Sequence, residues 1–155
     1  LDEVLSELGT DKLLVFANYR MSNRALTTYT SQYNGVAIFG DVPAAQKQKN
    51  LRRFIEDNTC RVLIAQPSSG GYGIDGLQDV CSDVLFMESP LTPNLFEQSF
   101  SRLYRDGQKK NVHCRIAVAK NTLQVKLHKS LLDKDDLAAQ VQGAYDTLRN
   151  MIYGN

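Results

Sequence analysis

Short, continuous apolar runs alternate with stretches of helical periodicity along this chain. Lys12 to Ala17 (KLLVFA), Val36 to Phe39 (VAIF), Arg61 to Ala65 (RVLIA), Val84 to Met87 (VLFM) and Val112 to Val118 are each short enough for one strand. Beyond the leading Lys12 and Arg61, the first four are apolar at successive positions, as strands buried on both faces must be. Between them, Val4, Leu5 and Leu8 predict a turn or two of amphipathic helix stopped by Gly9. Ser22 predicts an N-cap for a helix through Ser31, and Asp41-Val42-Pro43 a cap and first-turn proline for a helix to Glu56. The latter helix carries Lys47, Lys49, Arg52 and Arg53, with Leu51, Phe54 and Ile55 as its apolar contacts. Thr92-Pro93 opens a helix expected to run to Gln108, and Thr122 a helical segment reaching the end, broken around Leu132 to Asp136. Strands alternating with helices predict the α/β class: an open, mainly parallel sheet, helices on both faces, right-handed crossovers. Residues 1–132 are expected to form this domain and residues 133–155 a C-terminal helical extension.

Candidate chemistry centres on Gln98 to Gln108. At helical pitch Gln98, Arg102 and Arg105 share one side, with Phe96, Phe100 and Leu103 opposite. Two guanidinium groups held before buried aromatics can present fixed positive charge to a phosphate; the alternative is an ordinary amphipathic helix with a solvated basic face. Ligands of open parallel sheets bind beyond the carboxyl ends of the strands. Three segments are expected there: Asn18-Tyr19-Arg20 after the first strand, the glycine run Ser68 to Leu77 after the third, and this arginine helix. Closely spaced glycines let backbone N–H groups approach phosphate or ribose. The run is not the Walker A fingerprint, since no Lys follows Gly76. No Walker A lysine motif occurs in the chain, and no Asp-Glu pair follows a strand as a magnesium site would need. A nucleotide meeting Arg102 and Arg105 would therefore be held mostly by a second domain or chain.

Composition changes this little. Hydrophobic residues make up 43%, charged residues 23%, and the net charge is +1. Its distribution says more: Arg102 to Lys129 holds eight Lys or Arg against the single acid Asp106, a pattern that can mark a phosphate or nucleic-acid face. Cys60, Cys81 and Cys114 have no zinc-ligand spacing with His113 and His128, and each lies in or beside an apolar run. Small buried hydrophobes in a reducing compartment are the expected reading, and no metal site is expected. No run approaches a membrane span and no signal-peptide core opens the chain. A first residue other than Met predicts a fragment of a longer protein.

The order of these pieces resembles the second RecA-like domain of superfamily 2 helicases, most closely the Swi/Snf-type DNA translocases. Lys12 to Arg20 resembles motif IV, Ser68 to Gln78 motif V, and Gln98 to Gln108 motif VI, with its Q-x-x-x-R-x-x-R spacing followed by R-x-G-Q. Ser89 to Pro93 is similar to the W-x-P-type segment before motif VI. The resemblance covers residues 10 to 130. Departures are the extra Gly76 in motif V, Leu91 for an aromatic, Lys47 for Arg, and Thr122-Leu123-Gln124 for T-I-E. They suggest a divergent branch and leave phage or viral origin open.

The resemblance implies an ATP-dependent motor of two RecA-like domains, of which this chain completes the site. Arg105 is then the γ-phosphate finger, Arg102 lies alongside it, and Gln98 orients them or touches nucleotide. Gly71, Gly73 and Asp75 line the ATP site at its ribose and metal-side edge. Asn18, Tyr19, Arg20, Lys47, Ser68 and Ser69 form the nucleic-acid track. ATP and Mg2+ would be held mainly by the first RecA-like domain. The partners implied are DNA, with RNA possible, and that first domain, in the cytoplasm or nucleus, or in a host cell for a phage or virus, with no membrane. Two alternatives stay open at this point: a non-catalytic RecA-like nucleic-acid-binding or interaction module, and a small-ligand α/β domain using the glycine run.

Overall fold

A computed structural model of the 155-residue chain describes residues 1–67, 76–88 and 92–119, with 122 and 125. The elements are α1 (Asp2–Glu7), β1 (Leu13–Phe16), α2 (Arg20–Thr30), β2 (Val36–Ala37), α3 (Ala44–Glu56), β3 (Val62–Ala65), α4 (Leu77–Val80), β4 (Asp83–Phe86), α5 (Pro93–Phe100) and β5 (His113–Ile116). The strands form one sheet in the order β2-β3-β1-β4-β5, and every pairing is parallel. The predicted segment from Thr122 and the 133–155 extension lie outside the described residues, apart from Thr122 and Val125.

Strand alternation sorts the apolar runs into two cores. Leu14, Phe16, Leu63, Val84 and Phe86 face one side, against Phe54 of α3, Leu77 of α4 and Leu103 beyond α5. Leu13, Val15, Ala17, Val62, Ile64 and Leu85 face the other, against Leu5 of α1 and Leu26 of α2. Both faces are thus covered, which is why β1, β3 and, after Asp83, β4 are apolar at consecutive positions. Among the described residues β5 has a neighbour on one side only, and Cys114 on it is exposed, whereas Cys60 and Cys81 are buried as expected.

Helix boundaries depart from the sequence expectation in three places. α2 starts at Arg20 with Tyr19 as N-cap, so Ser22 lies inside the helix. α3 starts at Ala44 after Pro43, which frees Asp41 from capping. α5 is capped as expected, Thr92 accepting a hydrogen bond from the Leu95 N–H with Pro93 in the first turn, but it stops at Phe100 instead of Gln108. Another lysine stabilises α3 from outside: Lys12, 7% exposed, donates to the carbonyls of Phe54, Ile55 and Asp57 and lies over the Phe54 ring. A cation on the last carbonyls satisfies groups the helix cannot pair itself. Burial pulls the Lys12 pKa below its ordinary value.

Candidate functional site

Beyond the carboxyl ends of the strands, main-chain groups lose their ladder partners and need others. Here side chains supply them in a row. The Asn18 N–H donates to Glu88 Oε2 at 2.9 Å. The Asn18 carbonyl accepts from Gln66 Nε2 at 3.3 Å, and Gln66 Oε1 accepts from the Gly40 N–H at 3.1 Å. Glu88, Asn18, Gln66 and Gly40 follow β4, β1, β3 and β2, so the row tracks the order of the strands. The turn into α2 is pinned from beneath by buried Asn23, whose Nδ2 donates to the carbonyls of Ala17 and Tyr19 at 3.0 and 2.9 Å. Above it Tyr19 is 56% exposed. Arg20, also exposed, makes a forked contact with Asp41 at 2.8 and 3.2 Å, and Arg24 reaches the same carboxylate at 2.8 Å. The hydrogen bond from Arg20, joined by Arg24, holds the Asp41 carboxyl below the usual carboxylate range.

The arginine segment sits elsewhere. α5 follows β4 and, as a crossover helix, runs back along the sheet towards the amino ends of the strands. An aromatic stack marks its course. Phe16 meets Phe86 at 5.2 Å between centroids, Phe86 meets Phe96 at 5.4 Å, Phe96 meets Phe100 at 6.0 Å, and Phe100 meets Tyr104 at 5.5 Å. Past Phe100 the chain continues in tight turns, with Leu103 and Tyr104 N–H both donating to the Phe100 carbonyl. Leu103 is fully buried, Tyr104 is 69% exposed, and Gly107 closes the segment at φ +97°. Gln108 Nε2 donates to the carbonyl of Cys81, just before β4, at 3.0 Å. The turn bearing Arg102 and Arg105 is therefore anchored at the amino end of β4, opposite to the edge expected from the sequence. The physical reason is the crossover: a helix that leaves the carboxyl edge delivers its last residues to the amino edge.

Arg102 is half-buried and Arg105 exposed, while Gln98 stays on the exposed side of α5, donating from Nε2 to Asn94 Oδ1 at 3.0 Å. Phe96, Phe100 and Leu103 pack into the core as expected. Lys47 does not join the basic face of α3. It is 6% exposed, because it shares the i, i+4, i+7 stripe of Leu51 and Phe54 that faces the sheet. Ser68, Ser69, Gly71, Gly73 and Asp75 lie outside the described residues; the run ends in Gly76, whose φ of +88° requires glycine where it enters α4. Between α4 and the arginine turn lies a groove of about 380 Å³ lined by Gln78, Asp79, Gly107, Gln108, Lys109 and Lys110. Among the described residues no group of three or more His, Cys, Asp or Glu gathers as a cation site, and no helix is long and apolar enough to cross a membrane. The sequence reading missed Gln66, Glu88, Asn23, Asp41 and Gln108. Only Gln108, within the arginine motif, carried a signal that could have found it.

Residues 1–107 match the family described as helicase conserved C-terminal domain. The chain belongs to that family. A Bacillus subtilis protein named as an uncharacterized ATP-dependent helicase, YqhH, is 30% identical over 149 residues, 94% of this chain. The ATP-dependent helicase FUN30 of Saccharomyces cerevisiae is 23% identical over 92% of the chain. The mouse DNA repair and recombination protein RAD54B is 25% identical over 89%. This helicase domain spans 26%, 13% and 16% of those proteins respectively, a fraction of each. Its fold is similar to the crystal structure of the C-terminal part of the Fun30 ATPase domain, with a TM-score of 0.71 over 83% of this chain and 43% of that one, at 22% identity. The domain is thus a helicase C-terminal domain with a RecA-like α/β fold.

Proposed function

We propose that this domain is the second half of an ATP-driven DNA translocase or helicase, and that Arg105, with Arg102 beside it, completes an ATP site built mainly by a first RecA-like domain. The observation that carries this reading is the arginine turn. Arg105 is exposed on a segment whose neighbours are fixed, Leu103 in the core and Gln108 on the Cys81 carbonyl. A main chain held that way presents its arginine to a phosphate with less of the segment left to be ordered on binding. The planar fork of the guanidinium would stabilise charge spreading over the γ-phosphoryl oxygens as the bond to the β-phosphate breaks. Gln98, one helix earlier, would orient the pair, and Gly71, Gly73 and Asp75 would line the ribose side. The described residues offer no acidic cluster suited to Mg2+, so the ion accompanying ATP is assigned to the first domain.

The nucleic-acid track is placed at the carboxyl edge on Asn18, Tyr19 and Arg20, with Ser68 and Ser69 following β3. Lys47 is left out of it, because a lysine 6% exposed reaches no strand without repacking α3. Contacts of this kind bind phosphate and sugar and carry no base code. Named relatives act in DNA repair and recombination, which favours DNA over RNA and the cytoplasm or nucleus as the place of work.

The test uses the longer protein that contains both RecA-like domains. Arg105→Ala is expected to lower nucleic-acid-stimulated ATP hydrolysis by about 10³- to 10⁵-fold, the usual worth of an arginine finger, while ATP binding survives. Unchanged turnover would remove the finger assignment and favour a non-catalytic binding module. Binding to DNA should ignore sequence and weaken with salt.

A further inference from the structure

Arg102 and Arg105 stand beyond the regular helix, Arg102 within tight turns where its N–H donates to the Ser99 carbonyl at 3.3 Å. The loop that follows, carrying Arg105, is closed by one side chain. Gln108 Nε2 donates to the Cys81 carbonyl at 3.0 Å and, at longer reach, to the Leu103 carbonyl at 3.4 Å. Its Oε1 accepts from the Lys110 N–H at 2.9 Å, and its own N–H donates to the Arg105 carbonyl at 3.1 Å. The amide thus closes the 103–108 loop on itself, with Arg105 inside the closure. It also bolts that loop to Cys81, whose N–H donates to the Leu77 carbonyl across α4. Gly107 enables the approach, because at φ +97° a side chain there would be strained.

We propose that Gln108 is the positioning residue for Arg105, and that it joins the arginine turn to α4, the helix into which the glycine-rich run leads. The inference rests on Arg105 acting at the ATP γ-phosphate, and it goes further by naming what holds the arginine and which segment moves with it. A displacement of α4 would pass to Cys81, and from there by one amide to the finger. Gln108 touches no substrate in this scheme. Its effect is on the placement of a charge, and misplacement by about 1 Å suffices for large losses in rate.

The test measures ATP hydrolysis by the two-domain protein with saturating DNA, well below its thermal midpoint. Gln108→Glu keeps the length and the acceptor for Lys110 but loses both bonds donated by the side chain; Gln108→Met keeps the length and loses all three side-chain bonds, while the main-chain bond to Arg105 stays in both. Both variants should lose about 10- to 100-fold in kcat, in line with a displaced catalytic group, with KM for ATP and affinity for DNA unchanged. The thermal midpoint should fall by only a few degrees. Wild-type kcat in both variants overturns the proposal. So does a kcat loss that merely follows the fraction unfolded, or one matched by loss of ATP binding. If the Glu variant does not fold, the Met variant gives the reading. Arg105→Ala in the same assay separates the two levels: an inactive Arg105→Ala beside fully active Gln108 variants removes only the positioning role, whereas an active Arg105→Ala removes the finger itself.

Discussion

The two edges of this sheet treat charge differently. At the carboxyl edge Arg20 and Arg24 sit in water and share Asp41, with side chains of both arginines about two-thirds exposed, at 68% and 65%. Their positions rest on surface ion pairs, each worth little. At the amino edge Arg105 is carried by a turn nailed down on either side by a buried leucine and a bonded amide. Arg115 there pairs with nearly buried Asp83 at 2.7 Å. A track for a moving strand tolerates loose, exchangeable cations, since each phosphate is replaced by the next. A group that must meet a transferring phosphoryl does not, because its value depends on position.

That contrast can be broken by experiment. Arg105→Lys should cost about 10²-fold or more in stimulated ATP hydrolysis, since the point charge lacks the planar fork, while Arg20→Lys should leave DNA affinity within about twofold because phosphate neutralisation needs only charge. Equal losses at the two edges would erase the distinction. Next in size, Leu103→Ala should destabilise the domain by about 2–5 kcal/mol in denaturant unfolding, as buried leucine truncations do, whereas Tyr19→Ala should barely move the midpoint.

The edges should also respond to opposite ends of the pH scale. Burial pushes the Cys81 thiol from 9.0 up to about 12. Its folded-state pKa is raised, so the stability it reflects is complete below pH 9 and is lost as pH climbs towards 12, at about 1.4 kcal/mol per unit as an upper bound. Cys81→Ala should flatten that alkaline slope. Asp41 runs the other way: its pKa is lowered from 3.8, so its contribution is present above that value and fades as pH falls below it. Asp41→Asn should remove that acid sensitivity. It should also strengthen DNA binding a few-fold at low salt, since two guanidinium groups lose their acidic competitor; unchanged affinity would mean that Arg20 and Arg24 lie off the track.

Strand positions were legible because consecutive apolar residues leave few other arrangements, and KLLVFA and VLFM came out within one residue of their observed ends. Helix starts were less so. Ser22 looked like a cap, yet the turn at Asn18-Tyr19 is set by Asn23 reaching back six and four residues to the carbonyls of Ala17 and Tyr19, a side-chain choice that capping preference alone does not reveal. Lys47 read as surface by residue type, although its spacing to Leu51 and Phe54 already placed it on the buried stripe.

By itself, then, the sequence determined the α/β class, the two-sided cover of the sheet and the spacing that marks Gln98, Arg102 and Arg105, since all three follow from local periodicity. Only the tertiary structure decided which edge each cation occupies, that α5 ends at Phe100, and that Glu88, Asn18, Gln66 and Gly40 form one row. The reason is separation along the chain. Glu88 lies 70 positions from Asn18 and Gln66 lies 48, and Gln108 lies 27 from Cys81, so these bonds exist only once the crossovers have brought their partners together.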